Sequence, residues 1–140
     1  MRVLGIDYGT KRHGLAVSDP LGYTAQPAGL VERRGRDPGL DEIAEVIEEK
    51  EVESVVLGLP FNMDGTPGDH HDEVLEFKAL LEERFGLEVD TIDERLTTVQ
   101  AERALEGLSR KKRKARVDQM AAQLILQAWL DGRPAPGAGN

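Results

Sequence analysis

Residues 3–18 read Val3-Leu4-Gly5-Ile6-Asp7-Tyr8-Gly9-Thr10-Lys11-Arg12-His13-Gly14-Leu15-Ala16-Val17-Ser18. Residues 2–7 and 13–18 are short apolar runs, and a glycine-containing loop of five residues, Tyr8 to Arg12, lies between them. Two such runs around such a loop predict a β-hairpin. Asp7 closes the first run, beside the flexible turn, where an acid can face a ligand or simply close a β-turn.

Outward from the hairpin the pattern continues as strand. After the turn Asp19-Pro20-Leu21-Gly22, residues 24–31 read as a third extended stretch, which makes three antiparallel strands. The period then changes. Leu40, Ile43, Ala44 and Ile47 recur at helical spacing. Residues 52–59 contain Val55-Val56-Leu57, a buried strand ending at Gly58-Leu59-Pro60, and a polar loop follows over residues 61–68. Val74, Phe77, Leu81 and Phe85 predict a helix over 71–85, stopped by Gly86. Residues 87–92 read as a further strand, and Thr97-Thr98 with Gln100 offers the N-cap of another helix. The last helix is expected to start near Arg116 and run through Trp129. One of its stripes is Val117, Ala121, Leu124 and Ala128, and the adjacent one is Ala122, Ile125 and Trp129. The order β-β-β-α-β-α-β-α-α implies a mixed five-stranded sheet, three antiparallel strands then two parallel, with helices on both faces. In such α/β sheets, sites gather at the C-terminal ends of adjacent strands. One domain over 1–131 and a disordered tail over 132–140 complete the expectation.

Composition narrows the chemistry. The 140 residues include no cysteine, so disulfides and thiolate metal sites are excluded and a reducing compartment is expected. No secretory signal opens the chain, and no segment approaches ~18 apolar residues, so a cytoplasmic protein is the expectation. The net charge is −8, which taken alone argues against nucleic acid. Its distribution reverses the argument. Arg110, Lys111, Lys112, Arg113, Lys114 and Arg116 place six of the 18 basic residues within seven positions, leaving −14 for the remainder. A phosphate backbone responds to that local balance more than to the sum.

Three acids draw attention. Besides Asp7, Asp93-Glu94 follows the strand at 87–92. Side chains alternate along a strand, so only one of this pair points to a given face, and the sequence leaves open which. Asp118 lies four residues before Ala122 and seven before Ile125, on their inward stripe. Helix-dipole complementarity accounts for an acid near a helix start, but not for one on the packed side. Oxygen ligands converging from two strand ends and a helix suit Mg²⁺ or Mn²⁺. Two such ions ~3.5–4 Å apart can activate water and stabilise the leaving oxygen of a phosphoryl displacement. Close carboxylates repel when ionised, so such a site is destabilised without metal.

Four blocks then carry a family resemblance. They are Gly5-Ile6-Asp7-Tyr8-Gly9-Thr10-Lys11-Arg12 with Gly14 to Asp19; Gly58-Leu59-Pro60-Phe61-Asn62-Met63-Asp64-Gly65-Thr66; Asp93-Glu94-Arg95-Leu96-Thr97-Thr98; and Val117-Asp118-Gln119-Met120-Ala121-Ala122 with Ile125-Leu126-Gln127. In this order they resemble the YqgF/RuvX family. The resemblance implies an RNase H-like fold and a metal-dependent nuclease that matures the 5′ end of 16S ribosomal RNA. Through kinship with RuvC, it alternatively implies a resolvase of branched DNA, for which a homodimer would be expected. It carries catalytic and metal-binding roles to Asp7, Glu94 and Asp118 and thereby prefers Glu94 to Asp93. In the mechanism that the resemblance implies, Asp7 would bridge two ions, Glu94 and Asp118 would complete one shell each, and 5′-phosphate ends would result. His13 departs from the family's usual aliphatic residue.

Nucleic-acid contacts are expected from Lys11, Arg12, Asn62, Arg95 and the basic run 110–116, against the plainer reading of solvated turns and local ion pairs. His70 and His71 are read as a surface cap of the second helix rather than as zinc ligands. Two other functions compete. Asp7-Tyr8-Gly9-Thr10 also resembles the phosphate loop of the actin, Hsp70 and sugar-kinase superfamily, but that arrangement closes two domains around ATP. A non-catalytic nucleic-acid-binding or ribosome-assembly factor would bind with salt sensitivity, yet it has no use for clustered anions facing a polyanion.

Overall fold

Alternation along the first strand decides which side of the sheet each residue serves. In the computed structural model, β1 (Arg2–Asp7) pairs antiparallel with β2 (Arg12–Ser18), with Leu4 opposite Val17 and Asp7 opposite Gly14. β3 (Ala25–Glu32) continues the antiparallel half. α1 (Leu40–Glu49) then leads to β4 (Val52–Leu59), which lies parallel to β1 on its other side. α2 (His71–Phe85) leads in turn to β5 (Glu88–Asp93), parallel to β4. The sheet order is β3-β2-β1-β4-β5, and α3 (Arg110–Gly132) follows. The structure describes residues 2–95 and 109–132, with the backbone alone described over 110–119. The Thr97-Thr98-Gln100 cap and the tail beyond Gly132 therefore lie outside the described residues.

The expected mixed sheet is present, with small shifts: β2 starts at Arg12 and β3 runs one residue beyond Val31. Two cores form, one per face. Leu4, Ile6, Leu15, Val17, Val55 and Leu57 pack under Ile43 of α1 and Val74, Phe77 and Leu81 of α2. Val3, Ala16 and Val56 pack against Ala122, Ile125, Leu126 and Leu130 of α3. Gly86 ends α2 as expected, with φ 64° and its N–H donating to the Glu82 carbonyl.

The last helix differs from expectation in two ways. It begins at Arg110, so the basic run forms its first turns rather than a loop. Lys and Arg are good helix formers, and no Gly or Pro interrupts residues 110–131, so the helix extends back through the run. Its buried stripe is Ala122, Ile125, Leu126 and Leu130, while Ala121, Leu124 and Ala128 are only half-buried. The adjacent stripe, the one that Asp118 shares by spacing, is therefore the packed one.

α3 lies unusually close to the sheet. A Cβ on Gly5 would stand 2.7 Å from Leu126 Cβ, and one on Gly58 would stand 2.6 Å from Ile125 Cδ1. These glycines let the helix seat directly on β1 and β4, so the group on Gly58's flank is held against both sheet and helix.

Candidate active site

Parity selects the acids. On β1, Val3 and Gly5 face α3, so Asp7 does too, at the strand's C-terminal end. On β5, Ile92 packs into the α3-side core and Trp129 donates its indole N–H to Asp90 at 2.7 Å, so even-numbered residues face α3. Glu94 continues that register, since its N–H donates to the Leu59 carbonyl at 3.1 Å and prolongs the β4–β5 pairing past the strand. Its side chain lies over Gly58, where an added Cβ would meet Glu94 Oε1 at 2.8 Å.

The electrostatics separate the neighbouring acids further. Burial, then the negative charge of Asp7, then that of Asp93 push the Glu94 carboxyl from 4.5 to about 7. Asp93 shifts the opposite way. Arg95 donates from Nε to both its oxygens, at 3.1 and 3.0 Å, and from Nη2 to Oδ2 at 2.6 Å, which holds its carboxyl below the usual range. One acid of the pair is thus neutralised by a partner on its own loop, and the other is pressed toward Asp7.

Asp118 is carried by α3. Gln123 and Gln127 reach the start of β3 at Ala25, at the far end of the sheet, so the earlier turns of α3 run toward the strand ends that carry Asp7 and Leu59. The Asp118 side chain, with those of Arg110, Lys111, Lys112, Arg113, Lys114 and Arg116, lies outside the described residues. Among the described side chains no group of three or more metal-ligating residues assembles. Asp7 and Glu94 are both carboxylates, and a hard divalent cation is the species that suits oxygen donors and relieves such repulsion.

The loop after Asp7 is tied down on two sides. His13 is fully buried, between the rings of Tyr8 and Phe77 at 5.1 and 4.8 Å. Its Nδ1 accepts from the Gly9 N–H at 3.1 Å, and its Nε2 lies 2.8 Å from the Pro38 carbonyl, which can only accept. That fixes the neutral imidazole with its proton on Nε2. Burial, aided by the positive charge of Arg33, outweighs the Pro38 hydrogen bond and keeps the imidazole below its ordinary 6.5. The polar residue at an aliphatic position is therefore a satisfied clamp. Arg33 completes it, donating from Nη1 to the Gly9 carbonyl at 2.9 Å and to Tyr8 Oη at 3.1 Å. Sequence reasoning passed over Arg33. The arginine cluster Arg33-Arg34-Gly35-Arg36 is visible in the sequence, but its partners Tyr8 and Gly9 are not.

The other expected contacts sort by geometry. Lys11 is exposed in the hairpin turn, and Arg12 pairs with Glu32 at 3.2 Å. Asn62 uses its amide inside its own loop, donating to Thr66 Oγ1 at 2.9 Å and to the Pro67 carbonyl at 3.2 Å. Arg95 lies over the Phe61 ring at 5.6 Å, which fastens that loop beside Glu94. His70 is the N-cap residue of α2 but makes no side-chain capping bond, and His71 packs edge-on against Phe61 at 5.2 Å.

Comparison with known proteins gives one consistent result. The family model described as RuvX, Holliday junction resolvase, matches residues 1–132. A Clostridium botulinum protein named "Putative pre-16S rRNA nuclease" is 47% identical over 133 residues, covering 94% of this chain and 97% of its own. A Ligilactobacillus salivarius protein of the same name is 49% identical over 137 residues, covering 94% and 93%. Among solved structures, Thermus thermophilus RuvC in complex with a Holliday junction substrate aligns with TM-score 0.54 at 17% identity over 95% of each chain. The fowlpox virus Holliday junction resolvase aligns with TM-score 0.55 at 10% identity, over 95% of this chain and 100% of that one. At these identities the two structures speak for the RNase H-like fold alone. No helix among the described residues is long and apolar enough to cross a membrane.

Proposed function

Because the chain belongs to the RuvX family of Holliday junction resolvases, we propose that it is a divalent-metal-dependent nuclease that hydrolyses nucleic-acid phosphodiesters, with Asp7, Glu94 and Asp118 as its catalytic carboxylates and 5′-end maturation of precursor 16S ribosomal RNA as its task. The carrying observation is Glu94, held over Gly58 and pushed to about 7 by burial and by Asp7. A fold gains nothing in stability from driving two carboxylates together, so the arrangement suits a cation between them.

Asp7 and Glu94 would hold that cation from the sheet side and Asp118 from the helix side. When bound, Mg²⁺ or Mn²⁺ supplies charge stabilisation and a lowered water pKa for in-line displacement at phosphorus. The chain's own contribution is placement. β1 and β5 fix the two carboxylates by register, α3 seats on Gly5 and Gly58 beside them, and the Tyr8-Gly9 clamp holds the loop after Asp7. The task is supported by the name shared by relatives of near-equal length. Branched DNA is the second substrate reading, favoured by the family description, and for it a two-fold dimer cutting paired strands would be expected.

The test compares a four-way junction, a matched duplex and precursor ribosomal RNA under one metal and one salt concentration. Metal-dependent cleavage of the precursor is expected, with loss of at least ~100-fold in Asp7→Asn, Glu94→Gln and Asp118→Asn. Undiminished cleavage in those variants would remove the proposed site, and cleavage of the junction alone would replace the substrate.

A further inference from the structure

One corner of the molecule carries cations that nothing in the described structure neutralises. Among the described side chains, most basic groups elsewhere are committed: Lys50 to Glu49, Lys78 to Glu82, Arg84 to Asp41, Arg95 to Asp93. Arg12 pairs with Glu32, and Arg33 is drawn inward to Tyr8 and Gly9. Lys11, Arg34 and Arg36 are exposed and make no ion pair with any described residue. All three belong to the two loops at one sheet corner, where the β1–β2 turn meets the segment after β3 and the Arg33 N–H donates to the Lys11 carbonyl at 2.9 Å.

The corner is also built. The Asp37 N–H donates back to the Arg34 carbonyl at 3.2 Å, closing a tight turn through Gly35 and Arg36 in which Gly35 takes φ 63°. Arg33 Nε fastens the turn's exit at the Asp37 carbonyl, 3.1 Å away. Asp37 Oδ1 accepts from the Gly39 N–H at 2.8 Å, so the acid of the turn caps its own backbone. The same Arg33 that holds this turn holds the Gly9 carbonyl two residues after Asp7. One side chain therefore ties the turn to the carboxylate loop.

We propose that Lys11, Arg34 and Arg36 form a phosphate-binding corner that grips the nucleic-acid backbone beside the scissile position and sets its register on the carboxylates. The chemistry is that of a polyanion: fixed, exposed guanidinium and ammonium groups on a chain whose net charge of −8 repels phosphate elsewhere. The corner lies on the β2–β3 side of Asp7, so it adds a hold on the strand beyond the basic turns of α3. Because the turn is closed in advance by backbone hydrogen bonds, little ordering opposes binding. The inference rests on the nuclease reading for its position but concerns binding, so the two fail separately.

The test measures the affinity of a fluorescent RNA duplex in Ca²⁺ as a function of salt for the wild type, for Arg34→Gln/Arg36→Gln, and for the charge-matched control Arg2→Gln/Lys50→Gln at the opposite sheet end. Circular dichroism checks that each is folded. Each lost phosphate contact should lower the slope of log K against log salt by about 1, so the corner variant should fall by about 2 and the control should stay near the wild type. In cleavage, the corner variant should raise KM with kcat nearly unchanged. Equal slopes in corner variant and wild type, or an equal fall in the control, would overturn the proposal while leaving the nuclease reading intact. A wild type that binds through the corner but never cleaves would uphold it and remove the nuclease reading.

Discussion

Glu94→Gln separates function from stability, because the two should move in opposite directions. Relative to an unfolded chain titrating at 4.5, the fold raises the Glu94 carboxyl to about 7. A group raised in the folded state contributes its full stability below the unfolded pKa, and that contribution is lost as pH climbs through the folded value. At ~1.4 kcal/mol per pH unit of separation, ionising Glu94 costs the metal-free fold at most about 3.5 kcal/mol by pH 8. Partial exposure of the carboxyl reduces this to about 2 kcal/mol. Glutamine keeps the shape over Gly58 and removes the charge. In chelator, the variant should melt on the order of 4–8 °C above the wild type at pH 8 and level with it at pH 4.5.

The assay is thermal unfolding by circular dichroism at both pH values, with chelator and then with Mg²⁺ or Mn²⁺. Metal should raise the wild type toward the variant at pH 8 and leave the variant almost unmoved. Asp93→Asn is the internal contrast. Arg95 depresses Asp93, so its stabilising contribution is present above the unfolded pKa and is lost as pH falls, and its replacement should lower the melting temperature at neutral pH. If Glu94→Gln melts no higher than the wild type at pH 8, or gains equally at both pH values, Glu94 is not a compressed carboxylate and the site argument fails.

The close seat of α3 gives a paired prediction. Gly5→Ala drives a methyl to 2.7 Å from Leu126 Cβ, a branch near the helix backbone, and should cost about 1–3 kcal/mol in a denaturant melt. Gly58→Ala instead meets the movable ends of Ile125 and Glu94, so cleavage should fall more steeply than stability. Equal activity losses in the two variants would deny Gly58 a part in placing Glu94. His13→Leu strands the Gly9 N–H and the Pro38 carbonyl in a partly buried setting, at about 1–3 kcal/mol each, so the variant should be destabilised by about 2–6 kcal/mol in urea. A leucine variant as stable as the wild type would mean that the clamp is idle.

These residues show what the sequence could and could not convey. Periodicity was enough for the hairpin, for β4 and for α2, whose ends match expectation at both His71 and Phe85. Spacing alone could not choose between Asp93 and Glu94; the family resemblance preferred Glu94, and the seating of α3 on Gly5 and Gly58 supplies a face to count from. With that contact known, the parity of 90, 92 and 94 follows at once. The start of α3 was misplaced because a charge run was read for its solvation, when its helix propensity governs. Arg33 went unread because its partners, Gly9 and Tyr8, lie more than twenty residues away in the chain. Such a pairing has no local pattern.

The order in which the site's groups titrate has a consequence for acid inactivation. His13 lies below its ordinary 6.5, whereas Glu94 lies at about 7. On acidification Glu94 therefore takes up its proton first, while the imidazole clamp is still neutral and still accepts from Gly9. Under the proposed reading, activity over that interval should be lost to competition between a proton and the metal for one carboxylate, with the loop after Asp7 still in place. The half-saturating Mg²⁺ concentration should then rise by up to roughly tenfold per pH unit below 7, while the melting temperature in chelator climbs. Excess metal should restore cleavage at pH 6. Collapse of the clamp would give the reverse pattern, with activity and melting temperature falling together and no rescue by metal, and that result would place the acid-sensitive group at His13.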